Sequence, residues 1–142
     1  MDKIKTYKIL EKLARLDVEN QQRRLKNLLD EQTLIEEKIK NFQDILESER
    51  SFLRGNANSS HDFYAFEKVM SSNIQKLKNR LAQVSEAIEG EKEVLLEFFS
   101  TQKKIEHVKD QEVVRQKDNL NYQDEMGVQD LTLMRGTKEN QL

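Results

Sequence analysis

The sequence predicts an all-α fold, a long antiparallel two-helix coiled-coil hairpin whose second helix is longer than its first. Three observations predict it. The 142 residues include no proline and only four glycines, so almost nothing in the chain breaks a helix. Two apolar seams with a seven-residue repeat run along it. A single turn-rich break separates them.

Composition narrows the alternatives. Only 36% of residues are hydrophobic while 35% are charged, and the mean hydropathy is −0.85. A compact globular domain carries roughly half apolar residues, so this chain either stays disordered or buries one narrow seam. Glu, Lys, Gln, Leu and Arg dominate, as they do in long helices. Periodicity decides against disorder.

The first helix is expected over about 3–53. Every seventh residue from Ile4 reads Ile4, Glu11, Val18, Leu25, Gln32, Ile39, Leu46, Leu53, and the companion positions read Tyr7, Ala14, Gln21, Leu28, Ile35, Phe42, Glu49. Eleven of these fifteen are apolar, in a stretch where apolar residues are otherwise sparse. A seam of period 3.5 implies left-handed supercoiling. The stretch spans about 75 Å at the α-helical rise.

A tip follows at residues 54–62, Arg54-Gly-Asn-Ala-Asn-Ser-Ser-His-Asp62, rich in turn and cap formers. Ser60 or Asp62 is placed to cap the next helix. The second seam opens at once with Phe63, Met70, Leu77, Val84, Phe98 and Ile105, and Ile74, Leu81, Ile88 and Leu95 fall between them. This second helix is expected over about 63–118 or beyond, with the seam fading near 112 and an overhang over about 113–142. The whole chain, 1–142, reads as a single coiled-coil domain. One break between two matched seams reads as a hairpin, because a short connection holds the second helix at high effective concentration beside the first. The alternative is a parallel dimer of one continuous helix, which Gly55 and the Asn/Ser cluster would weaken.

Two registers fit the seams, in which facing residue numbers sum to 116 or to 123. The first sets Leu25 against Glu91, Gln32 against Val84 and Gln21 against Leu95. The second aligns one more all-apolar layer and matches Gln32 with Glu91 and Gln21 with Gln102. Polar groups then meet polar groups, so the register of 123 is the expected one. It places Phe63, Tyr64 and Phe66 at the tip, past the two-helix contact. These aromatics either plug the open end of the coil or form a docking patch. The overhang carries Leu120, Tyr122, Met126, Leu131, Leu133 and Met134, and it either frays or is ordered by a partner, since a lone amphipathic helix is marginal in water.

Charge and motif content exclude several function classes. Lys and Arg number 24 against 26 Asp and Glu, a net charge of −2 with signs interspersed, so no basic face points to nucleic acid or to a basic membrane-curving helix. The absence of cysteine removes disulfides and thiolate metal sites. The N-terminus lacks an apolar run of signal-peptide length and no stretch is apolar enough to span a bilayer, which points to a soluble cytoplasmic protein. His61 and His107 have Asn58 and Lys104 three residues before them, not Glu, so the di-iron helix signature is missing. No phosphate-binding glycine loop or nucleophile elbow occurs. A non-catalytic protein without cofactor or metal is expected. Glu86, Glu89, Glu91 and Glu93 read as a solvated helix face, and Arg23 and Arg24 as exposed coiled-coil flanks.

The chain resembles the FliJ family. The resemblance is carried by its size, the pattern Tyr7-Lys-Ile-Leu-Glu-Lys-Leu-Ala-Arg-Leu-Asp-Val-Glu, the loop, the opening of helix 2, and the ending Asp124-Glu125…Leu133-Met-Arg135. The family consists of small coiled-coil proteins of the flagellar type III export apparatus, with counterparts in virulence-type secretion. The resemblance implies a stalk-like hairpin, monomeric on its own, that sits in the pore of the export ATPase hexamer and promotes its assembly. It implies contact with the cytoplasmic domain of the membrane export gate, recycling of export chaperones, and peripheral association with the inner face of the membrane through these partners. By aromatic–aliphatic spacing the gate contact carries over to Phe66, Met70, Asn73 and Leu77. The ring contact is expected at the opposite end, on Tyr7, Leu10, Leu120, Tyr122 and Met126. The competing readings are a generic structural coiled-coil spacer and a dedicated secretion chaperone for one exported substrate.

Overall fold

Helices α1 (Lys3–Leu53) and α2 (Ser60–Asn140) are the elements of the computed structural model, which describes the backbone of residues 2–54 and 60–140 and the side chains of 2–54 and 62–132. They pack against each other as an antiparallel helical hairpin, with 51 residues in α1 and 81 in α2. Residues 55–59 of the expected tip and the side chains of Ser60 and His61 lie outside the described residues, and so do those of Leu133 and Met134. Asp2 caps α1, its Oδ1 accepting from the Ile4 amide at 3.1 Å, which satisfies one of the donors every helix start leaves unpaired.

The chain divides into two units, and the first is Val18–Glu97. Its core joins Ile35, Ile39 and Leu46 of α1 to Met70, Ile74, Val84 and Ile88 of α2, with Leu25, Leu28, Phe42, Leu77 and Leu81 packed around them. Each sits at a seam position, so the heptad repeat is what selects the buried stripe. Val84, at 1% exposure, is the most deeply buried side chain among the described residues.

Polar contacts fix the register in this unit, and they overturn the expected one. Gln21 Nε2 donates to the Glu91 carbonyl at 3.0 Å and to the Glu91 carboxylate. Gln32 Nε2 donates to Ser85 Oγ at 3.2 Å. Arg80 donates through Nε and Nη2 to Glu31 Oε1 at 3.0 and 2.7 Å, and Arg50 pairs with Glu67 at 2.5 Å. These pairs place Gln32 beside Val84 and Leu46 beside Met70, the register of 116. The expectation failed because it matched polar residues straight across the seam. A glutamine reaches about a full turn along the neighbouring helix, so Gln21, 3% exposed, finds Glu91 on a diagonal. Phe63 and Glu67 are half-buried, and Phe63 and Phe66 share a cleft with Phe52 and Leu53, so the opening of α2 lies within the two-helix contact.

The second unit is Met1–Asp17 with Phe98–Leu142. Its seam takes Ile4, Tyr7 and Ala14 from α1 and Phe98, Ile105 and Glu112 from α2. Lys109 Nζ donates to Glu11 Oε2 at 2.6 Å, and the charge of Lys3 acts on Glu112. The nearness of Lys3 to Glu112 belongs to the register that faces Ile4 with Glu112, in which Lys109 reaches Glu11 from one turn along α2. From Lys117 to Thr132 every residue is exposed.

Candidate functional site

The surfaces of each unit follow from which side chains its seam consumes. In the Val18–Glu97 unit, the four expected gate-contact residues lie along one stripe of α2 but differ in exposure. Phe66 is exposed, Asn73 and Leu77 are half-buried, and Met70 is buried in the core beside Leu46. Met70 thus stabilises the hairpin and is not presented to a partner. Asn73 and Leu77 line a shallow groove of about 460 Å³ with Lys38, Phe42 and Lys76, so this opening is apolar at its base and cationic at its rim. Phe66 belongs instead to the cleft of about 320 Å³ shared with Phe52, Leu53 and Phe63, rimmed by Glu49 and Asp62.

In the Met1–Asp17 and Phe98–Leu142 unit, the five expected ring-contact residues also separate. Tyr7 is half-buried in the seam, whereas Leu10, Leu120, Tyr122 and Met126 are exposed. Ion pairs anchor the seam beneath them. The hydrogen bond from Lys109 holds the Glu11 carboxyl below its ordinary value, with Lys109 and Arg15 charges adding to it, and the Lys109 ammonium is raised in return. Arg115 Nε and Nη2 donate to the two oxygens of Glu112 at 3.0 and 2.6 Å, and Gln116 Nε2 donates at 3.3 Å. These bonds, the one from Arg115 foremost, hold the Glu112 carboxyl at about 2. A carboxylate at the end of the seam is tolerated because its charge is fully engaged.

No family model matches the chain, and neither a curated protein nor a solved structure matches it. Among the described residues no cluster of three His, Cys, Asp or Glu is placed to hold a metal ion, and no helix is long and apolar enough to cross a membrane.

Sequence reading missed one surface. Ile9, Leu13 and Leu16 recur at i, i+4 and i+7 on the outward side of α1, and all are exposed. The signal was present as a second apolar spacing out of phase with the seam. These positions lie outside the seam, so the heptad pattern does not mark them.

Proposed function

We propose that the chain is a component of flagellar type III protein export that acts like the central stalk of a rotary ATPase. In this reading it binds and promotes the export ATPase hexamer, links it to the membrane export gate, and recycles export chaperones, with no catalytic step or cofactor of its own. One observation carries the reading. Past Gln116, α2 continues as helix with every described side chain exposed through Thr132. Leu120 and Tyr122 are two residues apart and so point to nearly opposite sides of the helix. An apolar strip on one side suits a flat partner, while apolar groups on several sides suit a segment enclosed by a ring. Leu10 on the first turns of α1 extends that contact, and Phe66, Asn73 and Leu77 supply the gate contact, with Met70 holding their helix in place.

The test is a chain ended at residue 115, assayed for stimulation of the purified export ATPase. Loss of stimulation is expected with the paired region still helical by circular dichroism. Undiminished stimulation would remove the basis of the proposal.

A further inference from the structure

Two exposed surfaces of the Met1–Asp17 and Phe98–Leu142 unit are complementary in chemistry, yet the hairpin leaves both uncovered. The first is the outward face of the opening turns of α1. Ile9, Leu13 and Leu16 are 54%, 52% and 42% exposed, at the spacing of a coiled-coil seam but on the side away from buried Ala14. From Lys3 to Leu16 the sequence holds five cations, Lys3, Lys5, Lys8, Lys12 and Arg15, against the single carboxylate of Glu11. Glu11 is already engaged by Lys109 and Arg15. Lys5 and Lys12 flank the apolar stripe, are exposed, and form no ion pair among the described residues.

The second surface is the overhang. From Asp118 to Met134 there are four carboxylates, Asp118, Asp124, Glu125 and Asp130, and no Lys or Arg. Tyr122 and Met126 stand one turn apart, 61% and 42% exposed. Helical geometry sets Asp118 and Glu125 along one flank of that pair and Asp130 along the other. One surface is thus apolar with a basic rim, and the other apolar with an acidic rim. Each is about 20 Å long at the helical rise. The overhang cannot lie on its own α1, because α2 is continuous helix through Asn140 and the α1 start faces Glu112.

We infer that the chain self-associates as a reciprocal dimer, the acidic overhang of each copy lying along the basic Ile9–Leu13–Leu16 face of the other. Two equal contacts related by a two-fold axis close the assembly, and formation of the first raises the effective concentration for the second. Each overhang becomes a third helix on the hairpin of its neighbour, covering apolar groups that are otherwise wet. The inference departs from the monomeric state that the resemblance implies, and it does not rest on the export reading, since it concerns the purified chain alone.

Sedimentation equilibrium of the full chain tests it, over about 5 to 500 µM, the range in which a contact of this size dissociates. A monomer–dimer equilibrium is expected, weakened about tenfold by high salt. The variant Lys5→Glu with Lys12→Glu sets acid against acid, and Asp118→Lys with Glu125→Lys sets base against base. Each alone should be monomeric, with helicity retained by circular dichroism. Mixed together, they restore both contacts and should form a heterodimer. A full chain that stays monomeric throughout, a dimer indifferent to the substitutions, or a mixture that fails to associate would each overturn the inference, as would growth beyond dimers.

Discussion

Glu112 shows how a single side chain ends the seam. It is buried, and two hydrogen bonds from Arg115 with a third from Gln116 hold its carboxyl at about 2, below the ordinary 4.5. Such a group binds a proton more weakly folded than unfolded. Its contribution is complete above the unfolded value and is lost as pH falls from there toward about 2. Glu11, lowered by Lys109, acts in the same direction. Thermal melts followed by circular dichroism should therefore show the hairpin weakening between pH 5 and pH 2, by the ordinary carboxylate range. Glu112→Gln should flatten that decline while lowering the midpoint near neutrality. An unchanged slope would assign the acid sensitivity to other carboxylates. The spacing was legible in principle, since Glu112, Arg115 and Gln116 stand at i, i+3 and i+4. That Glu112 would be buried was not, because burial depended on where α1 begins to face it.

The two helices illustrate what periodicity can and cannot carry. Seam residues, helix class and the greater length of α2 were legible because each follows from local spacing. Register is a relation between helices, and an alternative seven residues away preserves every seam position. Side-chain reach decided it. Gln21 and Gln32 find Glu91 and Ser85 off the straight-across layers, which a layer-by-layer match cannot register. The same slip changes the partner of Met70, from Leu53 in the register of 123 to Leu46 in that of 116, and it is buried there as a seam residue. The chain has no cysteine, so introduced pairs report cleanly on this point. Gln32→Cys with Val84→Cys should oxidise to an intramolecular disulfide, seen by mobility on a non-reducing gel. Gln32→Cys with Glu91→Cys should not. The opposite result would restore the register of 123.

At the scale of the whole chain, the burial that stabilises the hairpin stops before the overhang. Among the described residues the buried ones fall between Ala14 and Glu112, whereas Lys117 to Thr132 bury none. Hydrophobic free energy scales with area removed from water, so the overhang contributes little to holding the hairpin together, and its helix is marginal without a partner. Ending the chain after Gln116 should then cost less than about 1 kcal/mol in thermal or urea unfolding at low micromolar concentration, within the range of a surface change. Val84→Ala, at a site 1% exposed, should cost about 2 kcal/mol by loss of two buried carbons and the cavity left behind. A truncation as costly as Val84→Ala in dilute solution would mean that the overhang packs on its own hairpin. A cost that appears only as concentration rises would mean that another copy covers it, because stabilisation by association grows with the concentration of the associating species. If the cost stays small at every concentration while ATPase stimulation is lost, the overhang serves the ring alone.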